Sequence, residues 1–261
     1  MKIILHADDF GFNEDTVNAT IECFEEKALT SASIMVTCPS AMKAINYAKL
    51  HPEYSFGVHL TYVDGLKPVV HPSQIKTLVD ENGLFLKSDF VRKNSILFKN
   101  SIKELVNETL SQIEVLKQNG VKVSHLDSHG HIHKFPSNLL ALNEVVRISD
   151  LNKVRGVQNI FLSTYEQHIG IVPMLNNIFR AYIKKHFKTT DYFYMPANRF
   201  DTKWCDDILR QIDKLDDDAV LEIGVHPGHE EDWRKHEFDD IKKFASLIKS
   251  TKHSLIDWNS I

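Results

Sequence analysis

Short apolar runs alternate with amphipathic stretches about seven times along the 261 residues of this chain, and no other feature narrows its possible folds as much. The runs predict buried strands over Ile3–Ala7, Ser31–Thr37, Ser55–Tyr62, Val121–Asp127, Lys153–Val157, Tyr192–Met195, Ala219–Val225 and Ser254–Trp258. Between them, apolar residues recur at helical spacing. Val17, Ile21, Phe24 and Ala28 follow a candidate N-cap at Asn13, and Met42, Ile45 and Tyr47–Ala48 follow Pro39-Ser40. Ile102, Leu105, Val106, Leu110, Ile113 and Leu116 follow the capping-box pair Ser101 and Glu104. Further helices are predicted over Ser137–Ile148, Pro173–Phe187, Trp204–Lys214 and Phe238–Ile248. Strand–helix alternation of this kind specifies an α/β fold of parallel units. The length favours a closed or nearly closed barrel over an open sheet.

No internal repeat or low-complexity linker divides the chain, so residues 1–261 read as a single domain. Residues 63–100 read as an insertion over one end of the fold. They hold Pro68, Pro72 and an Asn82-Gly83 turn signal between Thr77–Val79 and Leu84–Leu86, and insertions of this sort often form substrate-binding loops. The net charge is −4 and no Lys/Arg run exceeds two residues, which argues against a nucleic-acid or anionic-membrane surface. Cys23, Cys38 and Cys205 are scattered, without a C-x-x-C pair, and read as reduced structural thiols of a cytoplasmic protein. Acids at positions 8 and 9 come too early for a signal peptide. No apolar run approaches the ~18 residues of a membrane span.

Barrel enzymes gather their chemistry at the C-terminal ends of the strands. Four predicted strands end in the same residue types: Asp8 and Asp9, His59, His129, and His226. The densest cluster, Val123–His133, places His125, Asp127, His129, His131 and His133 at alternate positions, which share one face while the chain stays extended. One Asp and two His with an open position make a catalytic metal site. Neighbouring strand residues diverge, so of two adjacent Asp one suits a ligand and the other a general base. His226, on a separate strand, is placed to protonate a leaving group. Such a set suits amide or ester hydrolysis, the oxyanion being held by the metal and a backbone N–H. His6 shares strand one with the Asp pair and is a candidate for the barrel interior; His168 reads as structural or solvated. His229-Glu230-Glu231-Asp232 reads as a solvated acidic loop. There is no P-loop, G-x-G-x-x-G, H-E-x-x-H or G-x-S-x-G.

The segments A-D-D-F-G at 7–11, T-S-A-S-I-M-V at 30–36, G-V-H-L at 57–60, H-L-D-S-H-G-H-I-H at 125–133, Val154-Arg155 and H-P-G at 226–228 resemble the YdjC-like carbohydrate deacetylases, of the chitooligosaccharide or diacetylchitobiose type. Residues 158–220 match poorly. The resemblance implies a distorted (β/α) barrel related to the polysaccharide deacetylases, and hydrolytic removal of acetyl groups from N-acetylated sugars. It implies Asp9, His59 and His129 as ligands of one divalent metal, Asp8 as the base and His226 as the acid. The metal implied is magnesium; two His and one Asp suit zinc or another transition metal at least as well. A homodimer is implied too. Asp127 and His125 are then expected deeper along strand four, as groups behind the ligands or lining the barrel that orient their neighbours. His131 and His133, beyond Gly130, are expected to shape the pocket. The other readings are a different metal-dependent barrel hydrolase, on an amide, ester or phosphate, and a non-catalytic metal- or sugar-binding protein. The phosphate reading wants a cationic clamp, for which Arg155 and Arg199 are the loose candidates. The binding-protein reading leaves Asp8 and His226 without a task.

Overall fold

The computed structural model describes residues 1–162, 171–196 and 203–261. Strand β1 (Lys2–Phe10) leads through α1 (Glu14–Glu25), β2 (Ser31–Ile34) and α2 (Ala41–Leu50) to β3 (Ser55–Leu60). Then come α3 (Ser88–Ile96), α4 (Ile102–Gln118), β4 (Val123–Ser128), α5 (Pro136–Ser149) and α6 (Ile171–His186). The chain ends with β5 (Tyr192–Tyr194), α7 (Trp204–Ile212), β6 (Val220–Val225), α8 (Asp232–Ile248) and β7 (Ser254–Ile256). All strand pairings are parallel, in the order β4-β3-β2-β1-β6-β5, with β7 against the first residues of β1. Helices cover the outer face and polar side chains fill part of the inner one, so Ile3, Ile4 and Leu5 are fully buried in succession and the strand reads as a continuous apolar run.

The sheet curls into a half-barrel, and residues 153–160 cross its open side. Arg155 N donates to Leu126 O of β4 at 2.9 Å, and Asn159 N donates to Phe193 O of β5 at 3.1 Å. Changing partners over so few residues leaves no room for a continuous ladder. The strand expected over Lys153–Val157 is therefore reduced to single bridges, Val154 to Leu126 and Lys153 to Lys188. The result is a distorted barrel whose strand ends open on one bowl.

The local signals mostly act as expected. Asn13 caps α1, its side chain accepting from Thr16 N at 2.8 Å. Ser101 caps α4, but Glu104 does not close the capping box: its carboxylate accepts from Thr77 N at 2.8 Å and from the Thr77 hydroxyl at 2.6 Å. On α2 the inner face is Ala41, Ala44, Ile45 and Ala48, whereas Met42 is exposed. The segment 63–100 is less irregular than its sequence suggests. It contains α3, which buries only Val91 and Ser95 and so carries no apolar stripe. The expected turn at Asn82-Gly83 forms, with an antiparallel bridge between Val79 and Phe85. This segment is tied to α4 by Glu108, a fully buried carboxylate that accepts from Val69 N at 3.0 Å and Val70 N at 2.9 Å.

Cys23, Cys38 and Cys205 are free and buried, as expected. Among the described residues no helix is long and apolar enough to cross a membrane. Arg199 and His168 lie outside the described residues.

Candidate metal centre and active site

Strand β1 delivers both acids to the bowl by breaking its own alternation. Asp9 has φ 59°, and the register against β2 shifts between Ala7 and Phe10. A left-handed residue at a strand end is a bulge-like feature that re-aims side chains, and Asp tolerates it better than most. Asp8 and Asp9 are consequently both buried, 3% and 2% exposed, where a regular strand would send them to opposite faces.

The two carboxylates have different neighbours. Asp9 Oδ1 lies 2.9 Å from His129 Nδ1 and 3.4 Å from His59 Nε2. Donors about 2.1 Å from a common cation stand ~3.0 Å apart at right angles and ~3.4 Å apart in a tetrahedron, so these spacings already fit a shared ion. Asp8 Oδ2 instead receives Arg155 Nη1 at 2.7 Å, while its Oδ1 has no hydrogen-bond partner. His226 approaches from the β6 side, with Nε2 4.0 Å from Asp8 Oδ2 and Nδ1 3.4 Å from Glu237 Oε2.

Among the described residues two other donor groups converge, His6/His125/Asp127 and Asp8/His59/Asp127. The first is fully buried, and both ring nitrogens of His6 are already engaged by Ser31 and Ser33 at 3.0 and 3.1 Å. The second has Arg155 on both acids, 2.7 Å from Asp8 and 2.9 Å from Asp127, and a fixed guanidinium opposes a second cation. Only Asp9/His59/His129 reaches solvent, through a His129 side chain that is 29% exposed. Of the three groups among the described residues, this is the one that a cation could reach from solvent.

Behind them stands a polar shell. Asp127 Oδ1 holds His59 Nδ1 at 2.9 Å, and Ser33 Oγ bonds both that nitrogen and Asp127 Oδ2 at 2.9 Å. Holding Nδ1 leaves Nε2 facing Asp9, the carboxylate–imidazole arrangement of metal-ligating His. Arg155 is anchored in turn by Glu222, at 2.9 Å from Nε and 2.8 Å from Nη2. Asp127 thus contacts both the His59 ring and Arg155. His125 lines the barrel floor, stacked flat on Trp258 with ring centroids 4.6 Å apart and bonded to Ser124 Oγ. His6 lines the interior. Gly130 and His131 both have positive φ, so the extended path ends there, as expected. His133 turns inward to Ser128 Oγ at 2.7 Å, and half-buried His131 sets its ring edge-on to Phe193.

The electrostatics divide the site. Burial pushes the Asp8 carboxyl up, but Arg155 and His59 outweigh it and hold it at about 2. Burial likewise opposes ionisation of Asp9, and hydrogen bonds from His129 and His59 bring it well below the usual range. Burial disfavours charge on His59, yet Asp127, Asp9 and Asp8 lift its pKa to about 10. This pocket therefore favours positive charge between Asp9 and His59, a preference that a divalent cation satisfies. Against burial, Glu237, Asp9 and Asp8 raise the His226 pKa too. By contrast, burial depresses His131 far below the normal value and takes His133 to about 3.

Reasoning from the sequence missed Ser33, Glu222, Arg234 and Glu237. Glu222 left a trace, as the one acid inside the apolar run Ala219–Val225. Arg234 and Glu237 left only a faint one: they continue, at helical spacing, the buried face of Phe238, Ile241, Phe244, Ala245 and Ile248, and charged residues on such a face do not by themselves mark a site.

Comparison with known proteins gives three findings. A family model described as YdjC-like protein matches residues 2–255. A carbohydrate deacetylase of Geobacillus stearothermophilus is 32% identical over 226 residues, which is 87% of this chain and 79% of that protein; one of Vibrio cholerae serotype O1 (strain ATCC 39541 / Classical Ogawa 395 / O395) is 27% identical over 208 residues, 76% and 79% of the two chains. The crystal structure of a candidate cellobiose-phosphate cleavage protein from Enterococcus faecalis V583 superposes with a TM-score of 0.78 at 23% identity, covering 99% of this chain and 98% of that one, and shares the fold.

Proposed function

Since the chain belongs to the YdjC-like family, we propose that it hydrolyses the acetamide of an N-acetylated sugar at the Asp9/His59/His129 centre, with Asp8 and His226 as base and acid. It is a carbohydrate deacetylase, a hydrolase acting on amide bonds. The observation that carries the site reading is the convergence of Asp9 Oδ1, His59 Nε2 and His129 Nδ1 beside the Asp8 carboxylate, with His226 Nε2 4.0 Å from Asp8 Oδ2.

Asp9, His59 and His129 would hold a divalent cation, which would supply Lewis-acid polarisation of the acetyl carbonyl and acidification of a water. The remaining chemistry belongs to the chain. Arg155 donates to Asp8 Oδ2 and keeps the carboxylate ionised, the state in which Asp8 accepts the proton of the attacking water. The water oxygen bonds to the acetyl carbon, and the C–N bond breaks as His226 gives its proton to the sugar nitrogen. Acetate and a free amino sugar result. Glu237 supports this role by holding the imidazolium at Nδ1, so that Nε2 faces the Asp8 side. The segment 63–100 walls the cleft: Arg92 of α3 donates to Gly130 O at 3.2 Å, next to His129.

Two imidazoles and one carboxylate favour zinc or another first-row transition metal, whereas the family resemblance points to magnesium. The test is acetate release from N-acetylglucosamine and its oligomers after chelation, then after restoring zinc, cobalt or magnesium separately. Activity lost on stripping and regained with a cation supports the proposal. Full activity in the stripped protein, or none with any cation on any acetylated sugar, sinks it.

A further inference from the structure

Helix α8 sends two side chains into the site three positions apart, on one helix face. Glu237 grips His226, accepting from its backbone N at 2.6 Å. Arg234 grips Asp9: its Nη2 donates to Asp9 Oδ2 at 2.8 Å, and its Nε donates to Glu231 Oε2 at 2.9 Å. The guanidinium lies against two aromatic rings, 4.4 Å from the Trp233 centroid and 6.0 Å from that of Phe12. Arg234 is only 6% exposed, and its Nη1 is buried without a hydrogen-bond partner. A buried guanidinium with an unsatisfied nitrogen is costly, so its presence needs a reason other than stability.

The surroundings make room for it. A Cβ at Gly228 would stand 2.9 Å from Arg234 Cδ, 3.0 Å from Arg234 Cβ and 2.8 Å from Asp15 Oδ2. Asp15 in turn accepts from His229 N at 2.9 and 3.0 Å, pinning the loop that follows the H-P-G turn. The glycine of that turn is thus needed for close approach to Arg234. Asp9 also has a special need for support. Its positive φ takes it out of the strand ladder, so the ladder does not fix where its carboxylate points.

We propose that Arg234 is a positioning residue that clamps Asp9 Oδ2, so that Asp9 presents Oδ1 alone to a divalent cation. The clamp sets the carboxylate as a one-oxygen ligand and keeps an open position for water. This inference rests on the reading of Asp9, His59 and His129 as ligands.

The test is cobalt(II) titration of the full chain, reading affinity by competition with a chromophoric chelator and coordination by visible d–d absorption. Arg234→Gln is expected to weaken cobalt binding by about 10–100-fold, the usual effect of losing a partner of a ligand, and to change the d–d band as the freed carboxylate rotates. Arg234→Lys keeps the charge without the planar fork and is expected to fall between the two, with an altered band. Wild-type affinity and band shape in Arg234→Gln overturn the clamp. If a melt of the metal-free protein shows Arg234→Gln unfolded, Arg234→Lys decides, and a wild-type affinity and band there overturn it equally. Asp9→Asn separates the two ideas. If it binds cobalt like the wild type, the ligand reading itself falls. If it loses cobalt while Arg234→Gln keeps it, only the clamp falls.

Discussion

Replacing Asp127 by Asn removes one charge from the shell behind the metal centre while keeping its shape. The aspartate accepts from His59 Nδ1 through Oδ1 and from Ser33 Oγ and Arg155 Nη1 through Oδ2, each at 2.9 Å. The new amide has one acceptor, which must face either His59 or Arg155. Facing Arg155, it sets an N–H against His59 Nδ1, and the imidazole can answer only by moving its proton to Nε2, the atom that should bind metal. Facing His59, it opposes the amide N–H to the guanidinium, and a charge-assisted hydrogen bond worth about 1.5–3 kcal/mol is lost. Arg155 keeps Asp8 and Glu222, so the larger penalty of a wholly unpaired buried charge does not apply. At about 2–4 °C per kcal/mol in a chain of this size, melting of the metal-free protein should fall by about 3–12 °C. Metal affinity should fall about 10–100-fold, or ~1.4–2.7 kcal/mol. A chelator-competition titration and a thermal melt read these two numbers. Affinity within twofold of wild type together with an unchanged melt would refute the idea that Asp127 sets the tautomer of His59.

The proposed mechanism uses His226 in its protonated form, and its pKa is raised: burial lowers it, but Glu237, Asp9 and Asp8 more than compensate. The acid form is therefore present below that pKa and lost as pH rises through it, so the alkaline limb of kcat should lie above the ordinary imidazole value of about 6.5; His226→Gln should lower kcat by about 10²–10⁴-fold and remove the limb, and a limb that persists would reassign the acid. At Gly57 an added Cβ would stand 2.5 Å from His125 Nε2, a ring already stacked on Trp258. Gly57→Ala should cost about 1–3 kcal/mol by overpacking, and an unshifted melt would mean that His125 is not packed there. Glu108→Gln leaves a single acceptor for the amides of Val69 and Val70, so hydrogen exchange at one of them should quicken about tenfold for ~1.4 kcal/mol lost; unaltered exchange at both would show that Glu108 does not tether the insertion.

The parts of the site that could be read from the chain are those a strand end carries. Asp9, His59 and His129 sit where apolar runs stop, and a parallel barrel gathers such positions whatever the details of its helices. The alternation that exposed them also gave the strand order's parallel sense. What could not be read depends on three-dimensional crossing. Arg155 looked like a strand residue, yet it lies where the chain passes from β4 to β5, and its function as a hub for Asp8, Asp127 and Glu222 follows from that passage. Arg234 and Glu237 reach the bowl from α8, more than 220 residues after Asp9. They stand in register with the apolar stripe of that helix, but a charged residue at the start of a stripe reads as a solvated helix end, so the sequence did not mark them. The left-handed turn at Asp9 was hidden as well, since Asp tolerates it without a glycine to announce it. Helix α3 was missed because it buries only Val91 and Ser95, too few to leave a stripe.

Anomalous scattering from crystals loaded with zinc or cobalt bears most directly on the central claim. One peak is predicted, about 2.0–2.2 Å from Asp9 Oδ1, from His59 Nε2 and from a ring nitrogen of His129. A peak among Asp8, His59 and Asp127, or among His6, His125 and Asp127, would contradict it, as would a fully loaded crystal with no peak in the bowl.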